Sequence, residues 1–368
     1  MSMHAEAIEQ GAEMQSFDTQ KSEKFAERML GVFNDAALTL MVSIGHRTGL
    51  FDIFAELEWV SSSRLASVAK LDERYVREWL GAMTTGGVVL HDPENGTYQL
   101  PKEHSAWLTR TASPNNLAVT AQWIPLLARA EDKIVERFEH GGGTQYHDYC
   151  GFHHVMAEES SQTAVAPLFD SILPLVPGLE MQLARGIDVL DAGCGSGRAL
   201  QAMAQRFPQS RFTGYDLCAD ALDGALRESD RLGLKNIHFE QRDLTAYDEP
   251  GRFDFITTFD AVHDQKDPSG MLRGLARALK PGGVYLMQDI GGSSVLSRNV
   301  DHAMGTFLYT ISCMHCMAVS LGQGGAGLGA MWGVELAEQM LGEAGFVKIE
   351  QHRLPHDPIN VYFVSRRA

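Results

Sequence analysis

Apolar residues recur at helical spacing from Phe25 to Phe54. Phe25, Met29, Val32, Phe33, Ala36, Leu40 and Ile44 share one stripe, and Gly45 and Gly49 punctuate its end. Two shorter helices follow. Serines 61–63 can cap the first, and Asp72 is the expected cap of the second, within residues 71–83. From Gly86 to Pro101 the chain alternates about Asn95-Gly96, a strong hairpin signal. Helix, helix, hairpin is the order of a winged helix. Several helical segments lie between Pro114 and Leu183, broken by Gly141–Gly143 and by prolines 167, 174 and 177.

After Gly186 the texture changes to strands alternating with helices, which predicts a parallel sheet covered on both faces. IDVLDA, RFTGYDL, IHFEQRD, FDFITTF and GVYLMQDI read as the first five strands. The last two, FVKIEQH and NVYFVSRR, are separated by a short turn and should pair antiparallel. The expected fold is therefore α/β: a doubly wound, seven-stranded, mostly parallel sheet preceded by a mainly helical domain. Residues 1–22 read as a flexible tail, 23–185 as the helical domain, and 186–368 as the sheet domain with an insertion at 291–333.

Composition narrows the function. Lys and Arg number 31 against 47 Asp and Glu, a net charge of −16 that would repel phosphate backbones and anionic membrane surfaces. No uninterrupted apolar stretch approaches the roughly 20 residues of a membrane span. The first residues lack the basic-then-apolar order of a secretion signal. Five scattered cysteines argue against a disulfide scaffold and for a reducing cytoplasm.

The first strand carries Asp191 and runs into Gly193-Cys194-Gly195-Ser196-Gly197, after which a helix begins. Glycines there let the backbone turn sharply and approach a ligand, and the helix start offers free N–H groups. Arg198 stands where a dinucleotide fingerprint would need its third glycine, which counts against a nicotinamide-dependent oxidoreductase. The pattern resembles the first motif of class I S-adenosylmethionine (SAM) dependent methyltransferases, whose fold is Rossmann-like. That resemblance implies a ribose-binding acid at Asp216, beside Leu217. It implies an adenine-binding acid at Asp243, with Leu244 along the ring. It also implies that Phe259 and Asp260 line the methionine end, and LKPGG at 279–283 would turn the chain into the fifth strand.

The N-terminal region, ALTLMVSIGHRTGLFDIF and then residues 61–89, resembles the dimerisation and winged-helix region of small-molecule O-methyltransferases and of related bacterial methyltransferases of unassigned substrate. The resemblance implies a homodimer whose winged helix helps wall the acceptor pocket. Over residues 38–112, seven basic and nine acidic residues leave a net of −2, so no nucleic acid is expected as partner. In Val262-His263-Asp264, His263 resembles the base of plant-type O-methyltransferases, while in many class I methyltransferases a histidine here only packs against the cofactor; Asp264 either orients it or caps the next turn. His154, on a helix before the sheet domain, is expected to face the acceptor. His302, Tyr309, His315 and Trp332 in the insertion are expected to line the same pocket, with Cys313-x-x-Cys316 as soft packing and no metal. Six glycines over 322–333 read as a lid or hinge.

The expected activity is methyl transfer to a small-molecule acceptor, oxygen first and a thiol or other soft atom second. A SAM-sensing winged-helix regulator is the rival of another class.

Overall fold

The computed structural model describes residues 17–367. Helix α1 (Thr19–Arg47) is capped by Asp18, whose carboxylate accepts from Lys21 N at 3.0 Å. Residues 19–22 are thus helical rather than tail, because the cap starts the helix ahead of the apolar stripe. Residues 1–16 of the expected tail lie outside the described residues. Only the C-terminal half of α1 is packed. Leu38, Met41 and Val42 lean on a core of Leu50, Phe51, Phe54, Trp79, Leu80 and Met83. A Cβ on Gly45 would stand 2.6 Å from the Phe51 ring and 2.8 Å from Trp79, so this glycine permits the close crossing. The N-terminal half exposes Phe25, Leu30 and Phe33 by 60–64%.

Among the described residues, α1 is the one helix long and apolar enough to cross a membrane, with an 18-residue window of mean hydropathy 1.2. This corrects the expectation that no segment reads so. A search for unbroken apolar runs passes over a helix that tolerates one or two charges in the window.

Helices α2 (Leu50–Ala55), α3 (Ser62–Ala69) and α4 (Glu73–Thr85) and the hairpin β1 (Leu90–Asp92)–β2 (Thr97–Gln99) form the winged helix. Ser61 and Asp72 cap α3 and α4 through bonds from Arg64 N and from Arg74 N and Tyr75 N. The hairpin pairs His91 with Tyr98 across a loop in which Gly96 takes φ +63°.

Helices α5 (Lys102–Leu108), α6 (Leu117–Thr120), α7 (Trp123–Ala128), α8 (Glu131–His140), α9 (Phe152–Ser160) and α10 (Leu179–Arg185) lead to the sheet. Two π-helical turns, 161–165 and 168–172, follow α9. The end of α1 is tied to α9: Glu158 Oε2 accepts from Gln122 Nε2 at 2.6 Å and meets His46 Nε2 at 3.0 Å.

The sheet runs β5-β4-β3-β6-β7-β9-β8, with β3 (Asp188–Ala192), β4 (Arg211–Asp216), β5 (Ile237–Gln241), β6 (Phe253–Phe259) and β7 (Leu279–Ile290) parallel. The last pair, β8 (Phe346–Leu354) and β9 (Asp357–Arg367), is antiparallel, as expected. Helices α11 (Arg198–Arg206), α12 (Ala219–Leu232) and α13 (Pro268–Ala278) connect the parallel strands. LKPGG belongs to β7 itself, with an irregularity in its pairing to β6, rather than forming a turn before it. Strand order reverses between β4 and β6 on either side of β3, which opens a crevice at the strands' C-terminal ends.

The insertion holds α14 (Gly305–Ile311), a π-helical turn at 312–316 and α15 (Met317–Gly322), before α16 (Val334–Glu343). It is strapped to the helical region. Thr144 N donates to Ala318 O at 2.9 Å, and a Cβ on Gly322 would fall 1.9 Å from Thr144 O. The glycines at 325 and 329 likewise sit against Lys266 and Ser312 with no room for a side chain. Gly322, Gly325 and Gly329 thus serve close packing in this structure, while Gly324 faces open space.

Candidate active site

The strand-end wall of the crevice is built from the sheet's first four strands. Gly193, Gly195 and Gly197 take φ of +80°, +52° and +66°. A Cβ on Gly193 would lie 2.5 Å from that of Ala261, and one on Gly197 would lie 2.5 Å from the Phe239 ring. Gly195 N donates to Asp216 Oδ2 and Cys218 N to its Oδ1, each at 2.8 Å, so the loop and the acid fix one another. Burial raises the Asp216 carboxyl, and those backbone donors act against the rise. Asp191 is buried, accepts from Thr257 Oγ1 at 2.9 Å, and is lifted by burial to about 7. Asp243 accepts from Thr245 N at 2.8 Å and is held below its usual range by Thr245.

Asp260 adopts φ +49°, a strained conformation for a non-glycine residue. Its Oδ2 accepts from Gln288 Nε2 at 3.2 Å, while its Oδ1 is buried without a partner. Burial, with Asp289 next, keeps this carboxyl well above the ordinary range. Asp191, Gly193, Cys194, Gly195, Gly197, Asp216, Leu217, Asp243, Leu244, Phe259 and Asp260 all line the crevice, as does Asp264.

The opposite wall comes from the helical region, through Tyr146, Phe152, His153, Met156 and Val165, with Gln323 added by the insertion. Arg198 Nη1 donates to Ser161 Oγ at 2.6 Å and joins the two walls. The five residues expected to face an acceptor are placed elsewhere. Neighbouring residues on a helix point about 100° apart, and α9 turns His153 inward. His154 is 69% exposed, beside Glu158 at 3.9 Å. His302 lines a separate surface depression with Asn299, and Tyr309 meets Asn299 Nδ2 at 3.0 Å. His315 is buried behind Phe152, stacked at 4.2 Å, and burial lowers it to about 4. Trp332 is buried, and its Nε1 donates to Asp289 Oδ1 at 3.0 Å.

His263 is buried behind Asp264. Its Nδ1 meets Asp289 Oδ1 at 2.6 Å and its Nε2 meets Asp264 Oδ1 at 3.2 Å. Burial alone would lower its pKa. The two carboxylates prevail and hold it well above 6.5, as an imidazolium. Asp289 and His153 were missed from sequence. Asp289 had a legible signal, being an acid at the C-terminal end of the fifth strand.

The crevice thus sets a glycine loop and acids at four successive strand ends of an α/β domain side by side. Residues 183–345 match the family model described as methyltransferase domain, and residues 36–110 match the Rv2258c-like winged HTH domain. The chain thus joins a region that matches a winged HTH model to one that matches a methyltransferase-domain model. It is similar to ubiquinone biosynthesis O-methyltransferases of Leptothrix cholodnii (31% identical over 107 residues, 28% of this chain and 45% of that protein) and Idiomarina loihiensis (34% over 119 residues, 31% and 44%). The chain spans less than half the length of each. Solved structures with the same fold include human N-acetylserotonin methyltransferase in complex with SAM (16% identity, TM-score 0.67, covering 96% of this chain and 99% of that one). Mitomycin 7-O-methyltransferase is another (17%, 0.67, 95% and 100%).

Proposed function

We propose that this protein transfers a methyl group from SAM to a small-molecule acceptor, with oxygen as the accepting atom. The observation that carries this reading is the convergence of the glycine loop and the strand-end acids on one crevice that a separate helical wall closes. The loop fits an adenosyl ligand at Gly195, which lines the crevice with nothing within 4 Å of where a Cβ would stand, while Gly193 and Gly197 pack against Ala261 and Phe239. Asp216 would hold the ribose: each of its oxygens takes one backbone N–H and keeps a second lone pair. Asp243 and Leu244 would take the adenine end, with Phe259 and Asp260 at the methionine end. SAM supplies an electrophilic methyl group when bound. The chain aligns the acceptor against Tyr146, Phe152, His153 and Met156, and alignment of this kind lowers a barrier by roughly 7–11 kcal/mol.

For the acceptor's proton, we assign Asp264, the crevice-lining carboxylate in contact with His263, whose Nε2 lies 3.2 Å from its Oδ1. His263 therefore works through Asp264 as a positioning residue. The thiol alternative drew on the Met, Cys and His residues of the insertion, and none of His302, Cys313, Met314, His315, Cys316 and Met317 lines the crevice. The regulator alternative needs a basic reading helix. On α4, however, Arg74 pairs with Glu78 and Arg77 with Glu73, leaving little free positive charge. The bare half of α1 suits a second copy of this chain, since exposed apolar faces of this kind mark association surfaces. Incubation with labelled SAM and a panel of phenols, carboxylic acids, amines and thiols tests the reading. Label in a phenol or carboxylic acid supports it, and label in thiols alone overturns the oxygen assignment.

A further inference from the structure

Behind the crevice wall, His263, Asp264 and Cys316 each offer one donor atom, and these three atoms lie within 4.8 Å of one another. All three residues are buried, yet they come from two distant parts of the chain. The loop after β6 supplies two, and the π-helical turn at 312–316 supplies the third. That turn directs Cys316, not Cys313, into the cluster.

The geometry suits a tetrahedral cation. Zinc bonds of about 2.0–2.3 Å set ligand atoms roughly 3.3–3.7 Å apart, and His263 Nε2 already lies 3.2 Å from Asp264 Oδ1. The outer support is present too. His263 Nδ1 faces Asp289, and Trp332 Nε1 and Ile290 N both donate to that same Asp289 oxygen. A carboxylate behind a ligating imidazole fixes its ring and raises its basicity. One acceptor is also left over: Asp289 Oδ2 is buried without a hydrogen-bond partner, and Asp264 Oδ1 makes no hydrogen bond beyond its 3.2 Å ion-pair contact with His263 Nε2. The basic groups within ion-pair reach of these two acids are His263 and, at 4.0 Å, His315.

We propose that His263 Nε2, Asp264 and Cys316 Sγ form a binding site for a thiophilic divalent cation of the zinc class. On binding, the imidazolium releases its Nε2 proton and the thiol its S–H proton, both to solvent, while Nδ1–H stays on Asp289. The cation then replaces the imidazolium as the positive centre behind Asp264. Asp264 also lines the crevice, so an exchangeable fourth ligand comes from that side.

The test uses the untagged full chain with zinc chloride or cobalt chloride alone. About one equivalent of zinc should survive gel filtration. Cobalt should give the intense visible bands of tetrahedral coordination and a near-ultraviolet thiolate-to-cobalt band. Cys316→Ser should abolish the thiolate band and weaken zinc retention at least tenfold, whereas Cys313→Ser should change neither. His263→Gln should weaken retention similarly. Failure of the wild-type chain to retain zinc at micromolar free metal overturns the proposal. Retention unchanged in both Cys316→Ser and His263→Gln overturns it as well. Octahedral cobalt without a thiolate band in the wild-type chain does so even where the variants fail to fold.

Discussion

The two walls of the crevice differ in how their residues are positioned. On the strand-end wall, every residue singled out from the sequence for the cofactor lines the cleft, and only His263 sits behind it. On the helical wall, His154, His302, Tyr309, His315 and Trp332 all lie outside it, and the lining falls to Tyr146, Phe152, His153 and Met156. A strand's period of two and its C-terminal end leave little freedom for a side chain. A helix residue can miss by one position and turn about 100° away, as His154 does relative to His153.

The largest effect should come from the corner where the walls meet. Asp264→Asn should cut turnover by roughly 10²–10⁴ while SAM affinity stays nearly intact. Because His263 is held charged, the rate should show no inflection at the ordinary imidazole pKa near 6.5. A pH–rate profile with that inflection would return His263 to the role of free base.

Asp216→Ala addresses the strand-end wall alone. Losing charge-assisted bonds should weaken SAM binding by roughly 2–4 kcal/mol. Calorimetry that finds unchanged affinity would remove the cofactor assignment from this wall. The helical wall is sharpened by a pair of variants. His153→Ala should raise the acceptor KM about fivefold, from roughly 1 kcal/mol of lost contact, while His154→Ala should leave it unchanged. Equal effects from both would mean that α9 does not present the face described. Association is checked by Phe33→Glu, which places a charge on the bare half of α1. Sedimentation at micromolar concentration should shift from dimer to monomer, and a wild-type monomer would leave that face without its partner.

The smallest effect concerns the helix that carries the wall. Glu158 and Glu159 are neighbours on α9 with opposite shifts. The His46 contact pulls Glu158 down to about 2, while burial lifts Glu159 to about 7 despite the Thr120 hydroxyl bond. For Glu159 the folded state binds more protons than the unfolded chain between about 4.5 and 7. Its contribution to stability therefore falls as pH rises through that window. Glu159→Gln should gain about 1–3 kcal/mol over wild type at pH 8 and little at pH 4. Thermal melts at the two pH values measure the difference, and an equal gain at both would mean that Glu159 stays ionised.

Legibility followed the same division. The seven strands, their antiparallel close, the winged helix and its Ser61 and Asp72 caps were readable, because local period and capping chemistry decide them. The role of the glycines at 322–333 was not. Their purpose is tertiary: Gly322 meets the backbone of Thr144, some 180 residues away in sequence. Nor could local pattern show that Cys316 and His263 meet, since the thiol sits on a π-helical turn whose His315 packs against Tyr149 and Phe152 from a distant part of the chain.

Tyr146, Phe152, His153 and Met156 lie between residue 110 and residue 183, in a stretch that neither matched domain covers. The two matched modules therefore hold the proposed donor site, and an intervening segment that neither model covers supplies the face proposed to meet the acceptor. Relatives that diverge only in this stretch could exchange one acceptor for another while both modules stay unaltered. Grafting residues 111–182 between such relatives would then be a direct route to moving specificity from one protein to another.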